Sequence, residues 1–307
     1  MHDDTNPMSR YPSLFIDKLA VTIPLDGSRG ADVHHAVTES AYEWSEFISL
    51  ASLRNRSYIG QYKFTISDGR SATLLLQPRN PRNNYFKLEY SPNNFGEEGR
   101  ALLGEYLRNI LGDGYLDDIR GAKLTRLDVT FDVRRLPLKD LLIVDCKGRK
   151  SSIIRGREGG DAETYYFPFD GKRQLCVYDK LQQIRDKQGL PPSGIGRAPW
   201  VRFEYRCRSL SRYTLDDVVG RMENPFNNFI VKQFSLTDIG ISYENLRMFF
   251  DSCRLAGVDS TLSGIQDTAM RDSLALAYRT FPTPAFWQRR TSIWAGFRTA
   301  IQNALPA

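Results

Sequence analysis

Two Asp-Gly pairs restrict the architecture of this chain more than any other feature. Asp68-Gly69 separates an alternating run, residues 62–67, from a returning run, residues 72–76, and Asp170-Gly171 stands in the same way between residues 164–169 and 173–178. Asp-Gly supplies the positive φ that a two-residue hairpin turn demands, so each pair makes its flanking runs antiparallel neighbours. Further strand-like runs are FIDKLAVTI from Phe15, closed by Pro24, YFKLEYS from Tyr85, KLTRLDVTFDV over residues 123–133, and WVRFEYRCRS from Trp200. Helical spacing marks residues 32–53 (Val33, Ala36, Ala41, Trp44, Phe47, Ile48), residues 95–111 behind an Asn94 cap (Leu102, Leu103, Tyr106, Leu107, Ile110), and residues 179–188. Beyond about residue 212 the segments TLDDVVGRM, FNNFIVKQF and NLRMFFDSCRLAG read as helices. The expected fold is therefore α+β, a mostly antiparallel central β-sheet with flanking helices followed by a helical C-terminal region. The expected division is a disordered polar leader at 1–12, a main domain at 13–212 and the helical region at 213–307.

The chain has 307 residues, 41% of them apolar, enough for a sizeable core. Its net charge of +6 is compatible with a polyanionic partner, because lysine and arginine displace counterions from phosphates. Cys146, Cys176, Cys207 and Cys253 are scattered without a C-x-x-C pair, which argues against a zinc site or a disulfide framework. No apolar run approaches the ~20 residues of a membrane span, and the leader does not look secretory, so cytoplasm and no membrane partner are expected. Residues 145–162 are rich in glycine and carry Lys147, Arg149, Lys150, Arg155 and Arg157, the composition of a mobile basic loop.

The strand at 123–133 carries acids where a strand disfavours them. Period-two alternation puts Leu124, Arg126, Asp128, Thr130 and Asp132 on one face, and Thr125, Leu127, Val129, Phe131 and Val133 on a core face. Asp128 and Asp132 lie roughly 13 Å apart along an ideal strand, so only one is a direct ligand for a shared ion, and Asp128 is favoured. In the strand from Trp200, Arg202, Glu204 and Arg206 share a face while Val201, Phe203 and Tyr205 pack on the other; Glu89 is a third placed carboxylate. Acids of this kind also serve as ordinary partners of arginine on a solvated face. If they gather, oxygen ligands without histidine or thiolate suit Mg²⁺ or Mn²⁺. The histidines, His2, His34 and His35, offer no separated pair on a strand.

Tyr178 ends a strand and Asp179 is placed to cap the helix that follows, with Lys180 and Arg185 on or near that helix. A phenol beside cations and a helix N-terminus is placed to attack a phosphate. Tyr165, Tyr166, Tyr205 and Tyr213 are local competitors, and a half-buried hairpin tyrosine is the plainer reading from spacing alone.

Three segments, LTRLDVTFDV (from Leu124), QLCVYDKLQQ (from Gln174) and WVRFEYRCRS (from Trp200), together resemble the replication initiation factor family of phages and plasmids, the transesterase type, which is similar to relaxases of some conjugative elements. FIDKLAVTI and FKLEYSPNN occupy the places of two further strands, so that the resemblance spans roughly residues 14–210. Its strand-Tyr-Asp-Lys junction followed by an R-x-E strand is the most specific part. The stretch YYFPFDGKR departs from the family's Gly-Ser-Arg-like pattern before the tyrosine strand. The resemblance implies a rolling-circle initiator that nicks and rejoins origin DNA through a 5′-phosphotyrosyl intermediate. Tyr178 would be the nucleophile, Lys180 the group that stabilises the phosphate, and Asp128 and Glu204, with Glu89, the holders of Mg²⁺ or Mn²⁺. Arg126, Arg202 and the basic residues of 145–162 would contact single-stranded or cruciform origin DNA; a host helicase and a second copy of the chain are further expected partners. A conjugative relaxase with the same chemistry, a nuclease that uses water as nucleophile and a non-catalytic nucleic-acid-binding replication module are the alternatives.

Overall fold

The computed structural model describes residues 12–50, 57–80, 84–147, 152–155, 162–188, 198–208, 210–236 and 240–306, with the backbone alone at Gly27, 152–155, 162–163 and 188. The expected leader up to residue 11, and Arg149, Lys150 and Arg157 of the basic stretch, lie outside the described residues.

The chain begins with strand β1 (Phe15–Pro24), which ends at its proline, and then helix α1 (Gly27–Glu43). Asp26 caps α1, accepting from the Arg29 amide at 2.9 Å. This cap starts the helix earlier than the expected residues 32–53, and it ends before Phe47 and Ile48. Phe47 lies in a turn and stacks on Phe64 with ring centroids 5.9 Å apart, and Ile48 opens the short β2 (Ile48–Leu50).

The first Asp-Gly hairpin forms as β3 (Tyr58–Thr65) and β4 (Ser71–Pro78), with Gly69 at φ 83°. β5 (Tyr85–Tyr90) leads into α2 (Pro92–Leu111), which starts at Ser91 and Pro92 and not at Asn94, and kinks at Gly96, whose φ of 69° no helix carries. After α3 (Tyr115–Gly121) comes β6 (Lys123–Arg134).

Part of the expected loop at 145–162 is strand: β7 (Leu141–Asp145) and β8 (Ser152–Arg155) flank residues outside the description. The second hairpin follows as β9 (Ala162–Pro168) and β10 (Arg173–Asp179), with α4 (Lys180–Gln188) directly after it and β11 (Trp200–Cys207) beyond. The C-terminal region is mainly helical: α5 (Leu215–Arg221), α6 (Tyr243–Ala256), α7 (Val258–Ser263), α8 (Thr268–Thr280) and three short helices to Gln302. FNNFIVKQF is the exception. Asn224 and Pro225 start a 3-10 turn and β12 (Phe229–Gln233) follows, paired with β7, because its phenylalanine, isoleucine and valine suit a pleated, half-buried surface.

Hydrogen bonding places the other strands in the order β2-β3-β4-β5-β1-β6-β11-β10-β9-β8, and every resolved pairing is antiparallel. The fold is α+β. The chain forms two compact units. The first holds Leu14–Thr130, Tyr205–Glu223 and Gly296–Ala307; the second holds Phe131–Glu204 and Asn224–Ala295. Helical residues after 212 fall in both units.

In the first unit one strand face is apolar. Leu19, Val21 and Ile23 oppose Tyr90, Leu88 and Phe86, and bury against Leu103, Tyr106 and Leu107 of α2. The other face carries Lys18, Ala20, Thr22, Lys87, Glu89, Arg126 and Asp128. A bulge sets the phase of β6: Ala20 opposes Arg126 but Val21 opposes Leu124, so Thr125 is the extra residue and Leu124 turns to the core face. Strict alternation had put Leu124 beside Arg126; the bulge corrects it.

In the second unit Phe131 stacks on Phe203 at 4.9 Å between ring centroids, against Phe226, Phe286 and Trp287. A separate apolar cluster joins Leu142 to Leu246, Phe249, Phe250, Cys253, Leu274, Ala277 and Phe281. Burial pushes the Cys253 thiol up to about 11, as expected of a packing cysteine.

Candidate active site

Tyr178 comes from the turn chemistry of the second hairpin. Asp170 accepts from the amides of Lys172 and Arg173, fixing the return of β10, and β9 pairs register Val177 against Tyr165 and Tyr178 against Thr164. Val177 and Tyr165 therefore face one side, where Tyr165 stacks with Phe167, Phe167 meets Phe229, and the Tyr165 hydroxyl accepts from Arg254 Nε at 2.6 Å. That contact commits Tyr165, the nearest competitor, to the apolar side. Tyr178 faces the opposite side.

There the Tyr178 hydroxyl donates to Glu204 Oε2 at 3.0 Å. Both residues are buried, with 4% and 3% of their surfaces exposed, so a neutral donor and an acid meet away from bulk water. Glu204 arrives through the expected phase of β11: Phe203 turns into the aromatic core and Arg202 and Glu204 turn away from it. One turn of helix completes the junction. Asp179 accepts from the Gln182 amide at 3.0 Å, capping α4, and Lys180 Nζ donates to Gln183 Oε1 at 2.6 Å while standing 5.9 Å from the Tyr178 ring centroid. Lys180 and the helix N-terminus thus put positive charge beside the phenol, where a phosphate would sit.

Asp132, set aside in favour of Asp128 on the sequence, has its own role. Arg202 grips it in fork geometry, Nε to Oδ1 at 2.7 Å and Nη2 to Oδ2 at 2.9 Å, and Arg202 is 4% exposed. A bidentate pair of this kind holds strand side chains in fixed rotamers. The alternating R-x-E and D-V pattern was the available signal, but nothing in it says which strands are neighbours. Arg134, whose guanidinium carbon lies 3.3 Å from the Trp200 ring centroid, was also missed.

Asp128 and Glu89 belong to a cluster in the first unit. Asp128 is wholly buried, and Arg126 donates Nε to its Oδ1 at 3.1 Å and Nη2 to its Oδ2 at 2.6 Å. Burial works against the charge on Arg126, yet the hydrogen bond and charge of Asp128 outweigh it and the guanidinium pKa rises. Glu89 lies 3.5 Å from Lys18 and from Lys87, and 3.9 Å from Arg126. Lys147 is exposed, and Arg155 is described only as backbone of β8.

These acids do not fit the hard metal ion expected of them. Each already accepts from arginine, lysine or tyrosine, and among the described residues no three His, Cys, Asp or Glu side chains gather to hold an ion. The buried Thr130 hydroxyl lacks a hydrogen-bond partner among them, but one neutral oxygen is far from the six or so that Mg²⁺ demands. No step below is routed through an ion.

No protein-family model matches the chain, and no curated protein matches it either. Among the described residues no helix is long and apolar enough to cross a membrane.

Proposed function

We propose that this chain is a tyrosine transesterase that nicks and rejoins single-stranded or cruciform origin DNA, as a rolling-circle replication initiator does. The observation that carries the reading is the hydrogen bond from Tyr178 to Glu204 at 3.0 Å, at a strand end that runs into a helix bearing Lys180. The likeness of three segments to such initiators supports it. In this reaction the Tyr178 oxygen attacks the phosphorus and the phenolic proton passes to Glu204. The bond from phosphorus to the 3′ oxygen breaks, that oxygen leaves with the electron pair, and it takes a proton from solvent to become the 3′ hydroxyl that primes synthesis. The DNA keeps its 5′ phosphate as a tyrosyl ester. In the reverse step a 3′ hydroxyl attacks that ester and gives its proton to solvent, the bond from phosphorus to the tyrosine oxygen breaks, and Glu204 returns a proton to the tyrosine, so rejoining needs no ATP. Lys180 offsets charge on the phosphate. A host helicase would unwind the duplex from the nick, and a relaxase would share every chemical step.

The burial of Tyr178 favours a second reading, a non-catalytic nucleic-acid-binding module in which Tyr178 and Glu204 are a structural pair. One experiment separates the two. The chain is incubated with a labelled single-stranded oligonucleotide whose randomised centre contains every short target, with Mg²⁺, with Mn²⁺ or with chelator, and label on the denatured protein is measured. The transesterase gives label that Tyr178→Phe abolishes. Binding without covalent label under all three conditions sinks the enzyme and leaves the module.

A further inference from the structure

The polar strand face of the first unit holds a cleft of about 270 Å³ that the proposed reaction does not use. The register explains its lining. Thr22 of β1 lies opposite Lys87 of β5 on one side and Lys123 of β6 on the other, so two amines flank a hydroxyl across three adjacent strands. At roughly 4.8 Å per strand spacing, the two lysine backbones stand about 10 Å apart, within reach of one phosphate for their long side chains. Two residues further along β1, Pro24 opposes Tyr85, and the Tyr58 ring meets Tyr85 edge-on with centroids 5.8 Å apart and planes at 76°. The bulge that turned Leu124 inward lifts Thr125 into the cleft, where its hydroxyl donates to the Ala20 carbonyl at 3.1 Å.

The chemistry of this lining is specific. Tyr58 is buried and braces Tyr85, which is half-buried and offers a ring to the cleft. Lys123 is exposed, and Lys87 contacts Glu89 at 3.5 Å, where Lys18 also neutralises that acid. An aromatic platform beside amines and hydroxyls matches a base joined to a phosphate, since every base has a face to stack and every phosphate attracts a point charge. An acidic peptide would use the amines but leave the aromatic pair idle. The volume lies just below that of ligand pockets, roughly 300–1,000 Å³, which suits one nucleotide of a flexible strand and not a duplex.

We infer that this cleft binds one nucleotide of single-stranded DNA, with its base on Tyr85 and its phosphate between Lys87 and Lys123. The choice of DNA rests on the function proposed above; the cleft itself does not depend on the nicking chemistry.

The test is fluorescence anisotropy of a labelled mixed-sequence single-stranded oligodeoxynucleotide on the full chain carrying Tyr178→Phe, so that no covalent step enters. Tyr85→Leu is expected to weaken binding about tenfold, the loss of one stacked base. Lys87→Ala with Lys123→Ala is expected to lower the salt slope by about 0.7, the value for one phosphate contact on a single strand. Thermal melts check each fold. Should Tyr85→Leu unfold, Lys123→Glu on the exposed lysine carries the test, with an expected loss larger than that of the alanine change. Unchanged affinity and unchanged slope overturn the cleft, as does equal loss against a duplex of the same sequence, which would indicate a bare cation patch. An adduct at Tyr178 with no effect of the cleft variants leaves the nicking reaction standing and removes this inference. Cleft-dependent binding without any adduct does the reverse.

Discussion

Asp128 and Glu204 are both buried strand carboxylates, each two residues from an arginine on its own strand, yet Arg126 donates to the first and the Tyr178 hydroxyl to the second. Asp128 spends both oxygens on Arg126, a charge that neutralises it in place. Arg202, the arginine two before Glu204, turns to Asp132, and a neutral phenol donates to Glu204. A carboxylate locked to a guanidinium holds structure and has little reason to take a proton. One that faces a hydroxyl has a proton within reach. The same local sequence pattern thus meets a guanidinium in one place and a phenol hydroxyl in the other.

The comparison breaks first at the tyrosine. Tyr178→Phe should cut covalent adduct by about 10³-fold or more, since it removes the attacking atom. Retained activity would mean that water or another tyrosine attacks, and mass spectrometry of the adduct would name the residue.

Asp128→Ala should next unfold more than it inactivates. It strands Arg126, whose side chain is 19% exposed, and loss of one partner from a buried pair costs about 3–5 kcal/mol, here at the lower end. Urea unfolding reads this as a lower midpoint with an unchanged slope. A variant as stable as the parent but inactive would return Asp128 to a catalytic role.

Glu204→Gln sharpens the contrast from the other side. Glutamine still accepts from the Tyr178 hydroxyl, so stability should change by less than about 1 kcal/mol, while the adduct rate falls about 10²-fold through loss of the proton acceptor. The acid limb of the rate against pH should vanish with it; a profile identical to the parent's would make Glu204 structural.

Tyr106 is the matched control, a buried phenol that faces the Ser40 hydroxyl at 3.2 Å and no acid. Burial pushes its pKa up to about 12, with Ser40 working against that. A raised folded pKa means that its contribution is whole below about pH 10, the ordinary tyrosine value, and is lost as pH climbs towards 12. Thermal melts at pH 9 and 11 should show the decline, and Tyr106→Phe should lessen it.

Asp170 gives the smallest effect. The side chain of Arg173 donates to it and holds its pKa down, so its contribution is present above the ordinary carboxylate range and fades as pH falls through the lowered value. The pair is 47% and 40% exposed, and solvent screening keeps Asp170→Asn within about 1 kcal/mol in chemical denaturation at neutral pH.

By itself the sequence determined whatever depends on near neighbours along the chain. Both hairpins formed at their Asp-Gly pairs, because turn geometry is set by a few adjacent residues, and the faces of β10 and β11 followed period-two alternation, because the pleat is local. Asp179 capped α4 for the same reason. Tertiary structure decided which strands became neighbours, and through them which acid met an arginine and which met a phenol. It also decided where a bulge reversed the phase at Leu124, and that residues after 212 joined two units. Side-chain period repeats every two residues regardless of what lies alongside, whereas a hydrogen-bond partner is a matter of distance across strands far apart in the chain.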